Sequence, residues 1–121
     1  MPDYIENFDE GTDVTLTAAT AVVGGQLVGV TADNAVAPTS GASAAWVGIA
    51  STDAAAGARV NVVSGGVQSP VASGAIAAGD PVMPAAAGQV ATLTGTNYAQ
   101  QVGLALTGAA SGAKVRVKFN R

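Results

Sequence analysis

The residues with the strongest chemical character stand at the two ends of this 121-residue chain. The segment "KVRVKFNR" at 114–121 alternates cations with apolar residues. As an extended strand it presents Lys114, Arg116 and Lys118 on one face and Val115, Val117 and Phe119 on the other. Such a strand could pair with phosphates or with carboxylates. A net charge of −3 and a pI near 4.4 argue against nucleic acid. Phe119, on the valine face, is not available to stack on a base. Carboxylates are the better counterpart, and Asp3, Glu6, Asp9, Glu10 and Asp13 put five of the eight acids in the first thirteen residues. Pairing of the two ends, within or between subunits, is one reading of this asymmetry, and two solvated ends of opposite sign is the plainer one. Tyr4, Ile5 and Phe8 are apolar residues inside the acidic segment, and they suit an arm that docks on a neighbour.

Catalytic chemistry is thinly represented. The chain has no histidine and no cysteine, which removes thiolate nucleophiles, the usual zinc ligands and the common proton shuttle near neutral pH. Ser43, in "SGASAA", lacks the second glycine of a nucleophile elbow and has no histidine to activate it. Asp33, Asp53 and Asp80 occur singly, without the alternating acids of a calcium loop, and read as turn residues. The pairs Gly24-Gly25 and Gly65-Gly66 match no phosphate-binding or dinucleotide fingerprint and read as hairpin turns. No catalytic, metal or cofactor-binding residue is expected, and the chain reads as a non-enzyme.

What would position such a surface is β structure. Sixteen glycines are spread so evenly that long helices are disfavoured despite the abundant alanine. "DVTLT", "QLVGVT", "AWVGIA", "ARVNVV", "GVQSPV", "GQVATL", "QQVGLAL" and "AKVRVKF" read as short strands separated by Gly, Pro, Asn or Asp. The expected class is all-β, a small barrel or sandwich with an extended N-terminal arm. The acidic start lacks the basic character of a signal peptide. Val14 to Ala32 is too rich in threonine and glycine for a membrane span, so no membrane partner is expected.

Hydrophobic residues make up 49% of the chain but aromatics only 4%, so each buried side chain contributes little area, and association between subunits would help. Charged residues are only 11%, and none occurs from Pro81 to Ala113. Such a surface is cheap to desolvate and suits a protein covered by copies of itself or by a large partner.

The chain also repeats itself. "VGIASTDAAAGARVNV" at 47–62 and "VGLALTGAASGAKVRV" at 102–117 share ten of sixteen residues at a shift of 55. The shared pattern is strand, tight turn and strand, with Gly57 and Gly112 placed to take the left-handed conformation that closes the turn. Nothing in it is reactive, so the repeat builds a scaffold. The expected organisation is an acidic arm at 1–13 and a single β domain at 14–121 made of two similar units, at about 24–66 and 79–121. Trp46 stands where the second unit has Gln101, and it reads either as core packing or as an interface anchor.

Together, "YIENFDEGTDVTLTAATAVVGGQLVGV", "VGIASTDAAAGARVNVVSGGVQSP", "AAGDPVMPAAAGQVATL" and "VGLALTGAASGAKVRVKF" resemble the small capsid decoration, or cement, proteins of tailed bacteriophages. Thr12, between Gly11 and Asp13, departs from the family's usual Gly-Asp at the end of the arm. The resemblance implies a β-rich structural subunit of the virion, assembled as homotrimers in the host cytoplasm. It would bind the outer surface of the phage head and clamp neighbouring major capsid proteins, giving capsid stabilisation without catalysis. It carries no catalytic residues over. A tail or baseplate component, or a carbohydrate-binding module of the virion, would use the same kind of scaffold.

Overall fold

The computed structural model describes residues 14–120. The described chain is all-β, with ten short strands, two 3-10 turns and no α-helix. Val14–Ala18 (β1), Leu27–Ala32 (β2), Ala35–Pro38 (β3), Trp46–Ala50 (β4) and Arg59–Val63 (β5) form a closed barrel in the order β1-β3-β2-β4-β5. The barrel closes because β1 pairs twice, parallel with β3 and antiparallel with β5. Val67–Gln68 (β6), Pro81–Pro84 (β7), Val90–Thr92 (β8), Gly103–Ala105 (β9) and Val117–Phe119 (β10) form a second sheet in the order β6-β10-β9-β7-β8.

The two sheets follow one plan. Ala18 donates to Ala58 O as Ala72 donates to Ala113 O, and Ala19 donates to Val36 O as Ser73 donates to Val90 O. Val22 and Ala54 exchange two hydrogen bonds, as do Ile76 and Ala109. Gly25 donates to Ala50 O, and Gly79 to Ala105 O. The correspondence therefore begins at β1, upstream of Gly24. It runs at a shift of 54 as far as Thr39 and Leu93 and at 55 from Val47 and Val102 onward, so the second unit's extra residue lies in the loop between those positions. β6 is the counterpart of β1 and is cut short. Pro70 stands where β1 has Leu16, and without an N–H it cannot continue the ladder. The second unit's edges are drawn together only by a parallel bridge from Ala72 to Val90, where the first unit has continuous pairing.

Each unit has its own core. Ala18, Val22, Val28, Val36, Ala50, Ala54, Val60 and Val62 fill the first. Ala72, Ile76, Val82, Val90, Ala105, Val115 and Val117 occupy the matching places in the second, with Ala109 packed against them. Small side chains suffice because the interior of each unit is narrow. Two pairs of glycines are required by this geometry. Gly57 and Gly112 both have φ of 85° and close the same turn. A Cβ on Gly48 would overlap the carbonyl oxygen of Val63, and one on Gly103 would overlap that of Lys118.

The units are joined by an apolar seam. Leu27, Trp46 and Ile49 project from the outside of the first barrel into the second unit's core. There Trp46 meets Phe119 edge to face, with ring centroids 5.8 Å apart and planes at 88°. A polar clasp lies beside the seam. Thr39 Oγ1 donates to Ala85 O at 2.8 Å, Gly88 N–H donates to Thr39 O at 3.0 Å, and Gln26 Nε2 donates to Ala87 O at 3.2 Å.

Two strands, β3 and β7, were not among the runs read from the sequence. Both are four residues long and end in proline, so their alternation is too short to register. The run "AKVRVKF" forms a regular strand only over Val117–Phe119, and Lys114 makes an isolated bridge to Val71.

Candidate interaction surface

Alternation along 114–119 is realised in space. Val115, Val117 and Phe119 are buried, and Lys114, Arg116 and Lys118 are exposed. The three cations do not share one patch, however. Lys114 lines a concavity at the junction of the units, together with Val23–Gln26 of the first and Ser69, Val71 and Ala87–Gln89 of the second. Arg116 and Lys118 lie on the outer face of the second sheet.

That face has a regular construction. Lys118 is paired with Val67 on one side and Leu104 on the other, and Leu104 is paired in turn with Pro81. Directly opposed residues in antiparallel pairs project to the same side, so these four form one row across β6, β10, β9 and β7. Two residues along, Leu106 N–H donates to Arg116 O at 2.7 Å, which brings Leu106 beside Arg116. Val67, Leu104 and Leu106 are 51%, 42% and 45% exposed. They are half of the six large apolar residues exposed among the described residues, gathered around two cations.

The sequence reading missed these apolar residues. In "VGLAL" the leucines are the larger apolar residues, yet Ala105 points inward and both leucines point out. The signal lay in the repeat, because Ala105 aligns with Ala50, which is buried in the first barrel's core.

Trp46 requires a correction. It was a candidate for an interface with another chain, but it is 1% exposed and sits in the seam between the two units. Its ring is covered by the chain's own second unit, so core packing is its role. Tyr4, Ile5 and Phe8 lie outside the described residues.

The described acids serve local turns. Asp53 Oδ1 accepts the Gly24 N–H at 2.8 Å, and Asp80 Oδ2 accepts the Ala77 N–H at 3.0 Å and the Thr92 hydroxyl at 3.3 Å. Asp33 sits in the β2–β3 turn beside Asn34, whose φ is 53°. Among the described residues no group of three or more acids, histidines or cysteines is placed to hold a metal ion, and no helix is long and apolar enough to cross a membrane.

A scaffold of one closed barrel and a second sheet built on the same plan, presenting a mixed apolar and basic face, is what the comparisons with known proteins address. The phage cement protein family matches residues 6–119. The chain belongs to the phage cement protein family. No curated protein matches it. Among solved structures it is similar to the head fiber gp8.5 N base of bacteriophage phi29, with a TM-score of 0.68 and 18% identity over 90% of this chain and 93% of that one. At that identity the likeness speaks for the fold, which is shared almost end to end. Membership in the cement family supports a capsid-associated structural role for this protein and a location at the virion capsid.

Proposed function

We propose that this cement protein binds the outer surface of a phage head and stabilises contacts between neighbouring major capsid proteins, acting without catalysis. The observation that carries the reading is the family match over residues 6–119, on a chain built as a closed five-stranded barrel and a second five-stranded sheet of the same plan. Its mechanism is linkage. A subunit that binds the assembled shell and not its dispersed components stabilises the shell by its binding free energy, multiplied over many sites. The sparse charge of the second unit favours this, because a surface of Ser, Thr, Gly and Ala is desolvated at little cost. A homotrimer is the assembly state proposed for the bound form, with assembly on the head inside the host cytoplasm.

The competing reading, a carbohydrate-binding module of the virion, needs exposed aromatic rings grouped on one face. Of the described aromatics Trp46 and Phe119 are buried, and only Tyr98, 68% exposed, is presented to solvent. The neighbour's role as the base of a head fiber keeps a fibre-bearing variant of the capsid reading in view.

The test is the copy number of the protein in purified particles from its source, measured by quantitative mass spectrometry against the major capsid protein. A ratio near one to one is expected. Heads lacking the protein should also rupture at a lower temperature and be rescued by adding it back. A few copies per particle, or none, would overturn the shell-wide reading and move the protein to a tail or baseplate.

A further inference from the structure

We infer that the outer face of β9 and β10 is the docking site for the chain's own N-terminal segment, residues 1–13, folded back within the same molecule. The face consists of the row Val67, Lys118, Leu104 and Pro81, with Arg116 and Leu106 beside it.

The face calls for a particular occupant. Three exposed apolar side chains interleaved with two cations match a segment that is both acidic and apolar. The only described acids are Asp33, Asp53 and Asp80, and the carboxylates of Asp53 and Asp80 already hold their own turns. The remaining carboxylates, Asp3, Glu6, Asp9, Glu10 and Asp13, accompany Tyr4, Ile5 and Phe8 in the first thirteen residues. No other stretch of the chain has that composition.

Reach permits the contact. Val14, the first described residue, is paired with Val62, and Val67 at the edge of the face lies five positions beyond Val62. Val14 is thus within about 22 Å of Val67, taking ~3.4 Å per residue and ~5 Å between paired strands. The row from Val67 to Pro81 crosses four strands, a further ~14 Å. Thirteen extended residues span about 44 Å. A tether this short holds its segment near the face at an effective concentration of order millimolar, so the internal contact prevails over exchange between molecules in micromolar solution.

The first unit provides a contrast. Its counterparts of Leu104, Lys118 and Arg116 are Ile49, Val63 and Asn61, with Ile49 buried against the second unit and the other two half-buried. Among the described residues no third unit covers Leu104, and Lys118 and Arg116 stand where the first unit has Val63 and Asn61.

The inference concerns the isolated chain and does not depend on capsid binding, so the two readings fail separately. Lys114 and Lys118 are the only lysines. The test is carbodiimide coupling of carboxylates to lysine in an equal mixture of unlabelled and 15N-labelled protein at micromolar concentration, with peptide mapping by mass spectrometry. Amide links from Glu6, Asp9 or Glu10 to Lys118 are expected, with both linked peptides carrying the same label. The yield should fall at least about fivefold when salt is raised from ~20 mM to ~0.5 M. It should fall comparably in the double variant Leu104→Asp, Leu106→Asp, whose substitutions are on the surface and leave the fold intact. Links that are absent, confined to Lys114, or carried mainly by mixed-label pairs would overturn the inference. So would a yield indifferent to both salt and the leucine substitutions.

Discussion

The two units of this cement protein are nearly identical inside and different outside. Val60 and Val115, Val62 and Val117, and Ala50 and Ala105 occupy matched core positions, all at or below 1% exposure. On the outer face the match ends. Ile49 is 7% exposed and Leu104 is 42% exposed, although the two align and are chemically alike. The interior is constrained by the narrow barrel, which admits only small branched or methyl side chains. The exterior is constrained by whatever covers it, and the two units are covered by different things. Function in this molecule is therefore to be sought in the difference between the units and not in what they share.

The sharpest way to break the comparison is through the seam. Trp46→Ala removes the ring that packs against Phe119 and should cost about 3–5 kcal/mol, the usual range for truncating a buried tryptophan. Urea titration should then show the two units melting apart, with a reduced slope for each transition. A single unchanged transition would mean that the units are held together by something other than this contact. A smaller effect is expected from Gly48→Ala and Gly103→Ala. Each places a methyl group against a backbone carbonyl that cannot yield easily, costing about 2–3 kcal/mol. The two losses should agree closely if the units are structurally equivalent, and a marked inequality would limit the equivalence to the turns. The smallest effect belongs to Arg116→Gln with Lys118→Gln. Both side chains are exposed, so the denaturation midpoint at moderate salt should hardly move. A large loss of stability would show that these cations support the fold instead of a contact surface.

Legibility followed the constraints. The all-β class was readable because glycines interrupt every potential helix and short alternating runs lie between them. The left-handed turns at Gly57 and Gly112 were readable because glycine recurs at the same place in both copies. Val115, Val117 and Phe119 were readable as inward because cations fix the opposite parity. The outer faces were not. Nothing in "VGIA" and "VGLA" says which isoleucine or leucine will be covered, because that depends on where the second sheet packs on the first barrel. Trp46 was ambiguous for the same reason, since a surface between two units of one chain has the composition of a surface between two chains. Strands β3 and β7, bounded by proline, were too short to announce themselves.

The seam also has a consequence in time. Phe119 is synthesised 73 residues after Trp46, and at about 5–20 residues per second the ribosome needs roughly 4–15 s to cover that distance. Once Val63 has followed Trp46, 17 residues later, all five strands of the first barrel have been made and it can close, but Leu27, Trp46 and Ile49 remain bare on its outside. The nascent chain thus passes through a stage in which a finished barrel carries an uncovered tryptophan. That stage ends only when the second unit, with Phe119, folds over the seam.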